Sequence, residues 1–154
     1  MIDRLKYLLP EFRHYELIFN EEKCREKIIE RIEKVKEEII KTKILNLVDR
    51  TIERYKELLN IKGRGSIREI TIISESSNFN VIIFVDEKEF INSSYNELEE
   101  ISSYSNSIDA FEEDGKYIVH ITDISFGKNL RFGIFVNGTT KFNRIYVLYD
   151  IISE

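Results

Sequence analysis

Apolar residues recur at spacings of three and four over the N-terminal part of the chain. Before Pro10, this spacing covers a short first segment from Ile2 to Leu9. Asn20 then suits a helix N-cap and precedes the longest seam, formed by Cys24, Ile28, Ile32, Val35 and Ile39. A further pattern with the same spacing contains Leu45, Val48, Ile52, Tyr55 and Leu59. The spacing predicts α-helices over residues 1–62, and so narrow a seam must pack on another helix, the C-terminal part or a second chain.

The C-terminal part instead alternates apolar and polar positions with period two, the pattern of β-strands. The alternation extends over residues 79–86, 117–122, 130–137 and 145–151, and further strands are predicted at 67–74 and 108–112. Turn residues such as Asn137 and Gly138 separate them. Ser94 and Glu97 have the spacing of a capping box, which predicts a short helix over residues 95–104. Several short antiparallel strands predict a sandwich or an open barrel.

Charge and glycine content change where the hydrophobic period changes. Residues 1–65 carry a net charge of +3 and residues 66–154 a net charge of −8. Gly63 is the first glycine, and Gly65 follows it closely, which ends a helical pattern. The sequence therefore predicts an α+β fold, with N-terminal helices before an antiparallel β-sandwich or open barrel that contains one short inserted helix. We place the helical segment at residues 1–62 and the β-rich domain at residues 66–154.

The composition is that of a soluble globular protein. Of 154 residues, 42% are hydrophobic and 33% are charged, and no apolar run approaches the length of a membrane span. The charged N-terminus does not match a secretion signal. The single cysteine, Cys24, excludes an internal disulfide framework and fits a reducing compartment. Because a net charge of −5 gives no general attraction to nucleic acid, we expect neither nucleic acid nor membrane among the partners.

Residues with catalytic or metal-binding chemistry do not cluster along the sequence. His14 and His120 are the only histidines, and neither has a second ligand at a metal-binding spacing. Cys24 lies on the helical seam, where a buried cysteine acts as a small hydrophobe. The acidic residues at 109 and 112–114 lack the spacing of a calcium loop and are typical of a hairpin end. We expect no enzyme activity, no cofactor and no catalytic or metal site.

Two short motifs flank the long charged helix that the pattern predicts. They read Leu8-Leu9-Pro10-Glu11-Phe12 and Thr51-Ile52-Glu53-Arg54-Tyr55-Lys56-Glu57-Leu58-Leu59-Asn60-Ile61. Their order resembles phage tail baseplate wedge proteins of the Mu-like type, which have a Leu-Leu-Pro-Pro-aromatic element, a helix and an aromatic-Glu-x-x-Leu-Gly-Ile element. Here Glu11 stands for the second proline, Tyr55 for the usual tryptophan and Asn60 for the glycine. The similarity spans about the first 70 residues.

The resemblance implies a non-enzymatic structural protein of a phage tail or related contractile machine, encoded by a virus or prophage. It implies packing or assembly contacts at Leu9, Pro10, Phe12, Tyr55, Leu58 and Ile61. The helical seam adds Ile28, Ile32, Val35 and Ile39. The expected partners are other tail or virion proteins, further copies of the chain, or both, so we expect an oligomer or part of an assembly. The expected location is the cytoplasm during assembly and then the virion or a tail-like particle.

Two alternatives belong to other classes of protein. The first is a binding module that uses a β-sandwich to bind a carbohydrate or a peptide, with the helices serving to oligomerise. An exposed aromatic platform on the β part would favour this module. The second is a small enzyme, which is disfavoured because the sequence nominates no nucleophile, metal set or cofactor loop.

Overall fold

The computed structural model describes residues 24–26 and 38–153, and 76% of these residues are in strands and 9% in helices. In chain order the elements are β1 (Ile39–Lys62), β2 (Arg64–Ser74), β3 (Asn80–Val85), β4 (Lys88–Ser94), α1 (Tyr95–Ser102), β5 (Ile108–Glu113), β6 (Lys116–Phe126) and β7 (Asn129–Ser153). Residues 24–26 have helical backbone. The described part of the chain is therefore mostly β-structure.

The strands form one antiparallel sheet that curls into a half-barrel. Its order is β4-β3-β7-β2-β6-β5, and β1 pairs with β7. The 25-residue strand β7 pairs with β3 near its start, where Val81 is opposite Ile134. It pairs with β2 near its end, where Ile70 is opposite Val147. Strand β7 thus connects the two parts of the sheet.

Regular alternation explains the strands at the centre of the sheet. Ile70 and Ile72 of β2 are buried, as are Val119 and Ile121 of β6, and Ile72 is opposite Val119 in the register. Burial at every second position directs one face of the sheet into the core. Each of these side chains contributes about 1.5–3 kcal/mol on full burial, so the register that keeps them inside is strongly specified.

Helix α1 begins at the predicted capping box and packs into the same core. The Ser94 hydroxyl accepts a hydrogen bond from the Glu97 backbone N–H at 3.2 Å, and the Glu97 carboxylate accepts one from the Ser94 N–H at 3.4 Å. Tyr95 and Leu98 are buried, and the Tyr95 ring lies 5.1 Å from that of Tyr117 in an edge-on contact. The predicted short helix is confirmed, with its last residue at Ser102 rather than Tyr104.

The predicted α+β fold with N-terminal helices is wrong. Residues 39–62 form strand β1 instead of the predicted helix, and the described part of the N-terminal region is helical only at residues 24–26. The β part is a single curled sheet and not a sandwich. Among the described residues, β-structure therefore includes one strand, β1, before the position at which the hydrophobic period changes.

Two irregular positions in β1 explain why its sequence imitates a helix. Asp49 and Arg54 have positive φ angles of 51° and 56° within the strand. Before Asp49 the inward residues are at the odd positions 45 and 47, between Asp49 and Arg54 the inward residue is at the even position 52, and after Arg54 they are at the odd positions 59 and 61. We interpret the two positions as β-bulges, each of which inserts one extra residue. The inward residues at 45, 52 and 59 are consequently seven apart, which is also the spacing of two helical turns.

Of the two glycines at the predicted boundary, Gly63 connects β1 to β2 and Gly65 lies in β2. Gly63 has φ of +112°, and its N–H donates to the Lys128 carbonyl at 2.7 Å. The chain divides into compact units between Ile39 and Ile40. Of the seam predicted from the sequence, Ile28, Ile32 and Val35 lie outside the described residues, and Cys24 is exposed instead of buried.

Candidate interaction surface

Strand β1 carries an exposed apolar row. Ile40, Ile44 and Val48 are 61%, 60% and 47% exposed, although isoleucine and valine are among the residues most often buried. They are four residues apart, and alternate residues of a strand face the same side. All three therefore lie on one face of β1, and we call them the β1 row.

The opposite face of β1 packs on the core. Leu45 and Leu47 are half-buried against the core cluster, and Ile52 is only 3% exposed. Turning the β1 row inward would expose these residues instead, at a cost of about 1.5–3 kcal/mol for a fully buried side chain. Core packing thus keeps the β1 row on the outside of the sheet.

A buried carboxylate anchors β1 beside the β1 row. The Thr42 hydroxyl donates to Oδ1 of Asp150 at 2.6 Å, and Nε of Arg68 donates to Oδ2 at 2.7 Å. The hydrogen bond from Thr42 and then that from Arg68 lower the pKa of the Asp150 carboxyl group, because both favour its charged form. Asp150 therefore joins β1, β2 and β7.

A close approach fixes the second half of β1. A Cβ atom on Gly133 of β7 would lie 2.7 Å from the Tyr55 hydroxyl oxygen and 2.9 Å from the Lys56 carbonyl oxygen, so a side chain at 133 would clash. Tyr55 is close to Gly133, and Thr42 is close to Asp150. Because residue numbers rise along β1 as they fall along β7, the two strands run antiparallel.

A shallow concavity follows the bent part of β1. Its volume is about 290 Å³, and it is lined by Leu45, Leu47, Arg50, Thr51, Ile52, Lys56, Glu57 and Leu58. This volume is just below the range of about 300–1,000 Å³ typical of small-molecule pockets. Strand β1 as a whole contains six lysines and arginines and three acidic residues. No residue of the β1 row lines the concavity, whose apolar lining comes from residues that pack on the core, so the two features of β1 are separate.

The other outer strands offer shorter edges. Strand β4 has seven residues and β5 has six. Just before β5 the Ser107 carbonyl accepts a hydrogen bond from the Thr122 N–H of β6, so the alternation of the ladder directs the Ala110 carbonyl outward. The Ser102 hydroxyl donates to the Glu99 carbonyl within α1 at 2.7 Å and lies 3.4 Å from the Ala110 carbonyl, so α1 packs against β5 and covers part of this edge. Within the described residues the only strand that β1 pairs with is β7, and residues 40–62 form the longest edge there that lacks a second strand neighbour.

The Asp86 carboxylate is used for structure. It accepts backbone N–H groups of Lys128 at 2.6 Å and of Asn129 and Gly127 at 3.1 Å. These three hydrogen bonds, with that of Lys128 the largest cause, lower the pKa of Asp86. The carboxylate ties the turn after β3 to the turn between β6 and β7, so its amide partners are occupied by the chain itself.

The remaining groups of interest also have structural surroundings. Oγ1 of Thr71 lies 3.0 Å from Nδ1 of His120, on two paired strands. Burial is the main cause that raises the pKa of the Tyr95 hydroxyl, which therefore stays protonated over the usual pH range. Across residues 24–26 and 38–153, no three histidine, cysteine or acidic side chains gather where they could hold a metal ion. The β1 row, in contrast, is exposed and does not belong to the core cluster.

The structure describes four of the assembly residues expected from the sequence. Ile39 begins β1 and is exposed, as is Tyr55, whereas Leu58 is half-buried and Ile61 is buried in the core. They do not share one face, because β1 is a strand with two bulges. The expected assembly residues outside the described part are Leu9, Pro10, Phe12, Ile28, Ile32 and Val35.

Sequence reasoning missed Ile40 and Ile44 and assigned Val48 to an inward helical face. The available signal was the β-branched character of the segment, since Ile40, Thr42, Ile44 and Val48 all favour strands. A spacing of four is compatible with one face of a helix and with one face of a strand. Spacing alone therefore did not distinguish the two.

Two comparisons with known proteins gave no match. A scan of protein-family models found none that matches this chain, and a search of the curated proteins found no significant match. Within the part of the chain that the structure describes, no helix is long and apolar enough to cross a membrane.

Proposed function

We propose that this chain is a non-catalytic protein that acts by binding another protein along the open edge of β1. The β1 row is the observation that carries this proposal. Three exposed β-branched side chains on a 24-residue outer strand offer an added strand both apolar contacts and main-chain hydrogen bonds. Lys41, Lys43 and the bulges at Asp49 and Arg54 are features by which natural proteins limit non-specific pairing of an open edge, so an added strand must match the β1 row.

We also propose that the bound assembly is a phage or prophage tail or virion, formed in the cytoplasm. This part rests on the resemblance of residues 8–12 and 51–61 to baseplate wedge proteins. Residues 51–61 lie in β1 instead of the predicted helix, and residues 8–12 lie outside the described part. Strand β1 supports the protein-protein contact, and the resemblance alone supports the identity of the assembly.

A carbohydrate-binding role has less support. The exposed aromatic residues lie on different elements: Tyr55 on β1, Phe90 on β4, Tyr104 after α1, Phe111 on β5 and Phe135 on β7. Among the described residues, the close ring pairs join core residues such as Phe79 and Phe142. The described surface thus has no pair of exposed rings in contact that could serve as a stacking platform.

Photo-cross-linking tests the proposed function. A photo-reactive phenylalanine analogue replaces Ile44 in the full chain, which is then irradiated in the cells that naturally make the protein. The control carries the analogue at Tyr104, which is 86% exposed and distant from β1 in sequence. We expect one defined protein adduct from position 44 and none from position 104. The same adducts from both positions, or none from position 44, would contradict a binding role for β1.

A further inference from the structure

Resting on the proposed function, we propose that the partner at β1 is a second copy of this chain. The second copy adds its own β1 as an antiparallel strand, with a two-fold axis at Ile44. The two sheets are thereby joined edge to edge, as in an isologous dimer in which the same patch is used on both subunits.

The β1 row is self-complementary in this arrangement. Residues 40–48 precede the first bulge at Asp49, so they form a regular stretch of strand. In an antiparallel ladder centred on Ile44, Ile44 is opposite Ile44 of the second copy, and Ile40 is opposite Val48 of the second copy. Every member of the β1 row therefore meets a member of the other β1 row. Apolar β-branched pairs of this kind stabilise a sheet.

Within a pair of β1 strands, the positions of the lysines favour an antiparallel over a parallel ladder. In this register Lys41 is opposite Leu47 of the second copy and Lys43 is opposite Leu45. A parallel, in-register ladder would place each lysine opposite itself, and like charges directly opposite each other destabilise a sheet. Moving the axis to Leu45 would place Ile44 opposite Asn46 and divide the apolar contacts. The antiparallel ladder centred on Ile44 avoids placing like charges directly opposite each other and keeps the apolar contacts together, while Lys43 of each copy lies diagonal to Lys43 of the other.

An acidic strand is the main competing site for a basic β1. Strand β5 contains Asp109, Glu112 and Glu113, so β5 of another copy would attract β1 in a head-to-tail contact. However, helix α1 packs against β5 and its Ser102 hydroxyl oxygen lies 3.4 Å from the outward Ala110 carbonyl, so an added strand would have to displace the helix. The open edge of β1 has no such obstacle among the described residues.

Sedimentation equilibrium of the full chain tests the association. Ile44→Lys places a charge at the proposed axis, and the matched control is Phe90→Lys on β4, where the phenylalanine is 56% exposed. We expect the parent and Phe90→Lys to form dimers, and Ile44→Lys to weaken dimerisation on the order of tenfold or more, as for a central interface residue. Equal association of the two variants would overturn the proposal, as would a monomeric parent.

Disulfide cross-linking tests the register. In a Cys24→Ser background, Ile44→Cys places two thiols opposite each other, with Cβ atoms about 4.5–5.5 Å apart. Val48→Cys alone places its two thiols eight strand residues apart, about 26 Å at 3.3 Å per residue. Under mild oxidation we expect a covalent dimer from Ile44→Cys and none from Val48→Cys. A cross-link through Val48→Cys, or none through Ile44→Cys, would overturn this register.

These outcomes separate the present inference from the proposed function. A monomeric parent whose position 44 still cross-links to one different protein in cells would overturn the second copy and support partner binding. A monomeric parent with no adduct at position 44 would overturn both. An Ile44-dependent dimer, with the cross-link at Ile44→Cys, supports both.

Discussion

Alanine replacements of Ile52 and of Val48 distinguish a strand from a helix over residues 39–62. A strand predicts different losses of stability for the two variants, whereas the helix predicts similar losses. Ile52 is 3% exposed and Val48 is 47% exposed, because the two residues face opposite sides of β1. In the helix predicted from the sequence, both would lie on the same buried seam. We expect Ile52→Ala to destabilise the protein strongly and Val48→Ala to change its stability little.

The magnitude follows from the burial of Ile52. Ile52 belongs to the core cluster, and truncation of a buried isoleucine to alanine costs about 2–5 kcal/mol, which includes the cavity left behind. Because β1 lies at the edge of the sheet, where neighbours relax more easily, we expect about 2–4 kcal/mol. At about 3 °C per kcal/mol for a domain of this size, the Tm should fall by about 6–12 °C. Val48→Ala should stay within about 0.5 kcal/mol.

The assay is equilibrium urea unfolding, followed by circular dichroism in dilute solution so that self-association does not contribute. The midpoint should shift strongly for Ile52→Ala and little for Val48→Ala, with the slope unchanged for both. Similar losses for the two variants would refute the assignment of Val48 to the outer face. A larger loss for Val48→Ala would refute the orientation of β1 altogether.

Three further predictions concern the contacts that hold the sheet. Gly133→Ala should cost about 1–3 kcal/mol of stability, because its Cβ would meet the Tyr55 ring and the Lys56 carbonyl oxygen. In thermal melts, the double variant with Tyr55→Ala should recover part of this loss. The pKa of the Asp150 carboxyl group lies below its ordinary 3.8 in the folded protein, so the stabilisation by its charged form is present above pH 3.8 and is lost as the pH falls through the pKa of the folded protein. Asp150→Asn should therefore reduce the loss of stability at acid pH in a plot of unfolding free energy against pH. Ser94→Ala should cost about 1 kcal/mol in chemical unfolding, because Glu97 loses its capping partner.

The sheet centre could be predicted because its alternation is uninterrupted. Ile70 and Ile72 are inward, and Ile145 and Val147 are inward opposite them. Because one face of these strands is buried, apolar residues are required at every second position, and this requirement is visible in the sequence. The capping box was equally local, since Ser94 and its partner are only three residues apart.

Strand β1 could not be predicted from periodicity because two bulges interrupt its alternation and because the contacts that hold it on the sheet are distant in sequence. The bulges at Asp49 and Arg54 shift the alternation twice, so the inward side chains recur at a helical spacing. The contacts that fix β1 on the sheet, Thr42 with Asp150 and Tyr55 against Gly133, join residues remote in the chain. Aspartate tolerates positive φ better than most residues, so Asp49 is compatible with a bulge. Arginine has no such preference, and the second bulge at Arg54 therefore has no signal in the sequence.

The β1 row could not be identified from the sequence, because residue type does not show which side of β1 a side chain occupies. An exposed isoleucine and a buried one are identical in sequence, and Ile44 differs from Ile52 only in the side of β1 that it occupies. The sequence suggested an apolar assembly surface in the N-terminal half, but the side chains expected there included Ile61, which is part of the core. Only the exposure of the side chains in the structure shows which residues of β1 remain outside.

Amide hydrogen exchange at two protein concentrations tests most directly whether β1 is the interaction surface. Peptides that cover residues 40–48 are compared with peptides that cover β4, whose edge should stay open. At high concentration we expect exchange to slow in residues 40–48 and to stay unchanged in β4, because outward amides of β1 become hydrogen-bonded to the second copy. Unchanged exchange in residues 40–48, or equal slowing in β4, would contradict association through β1.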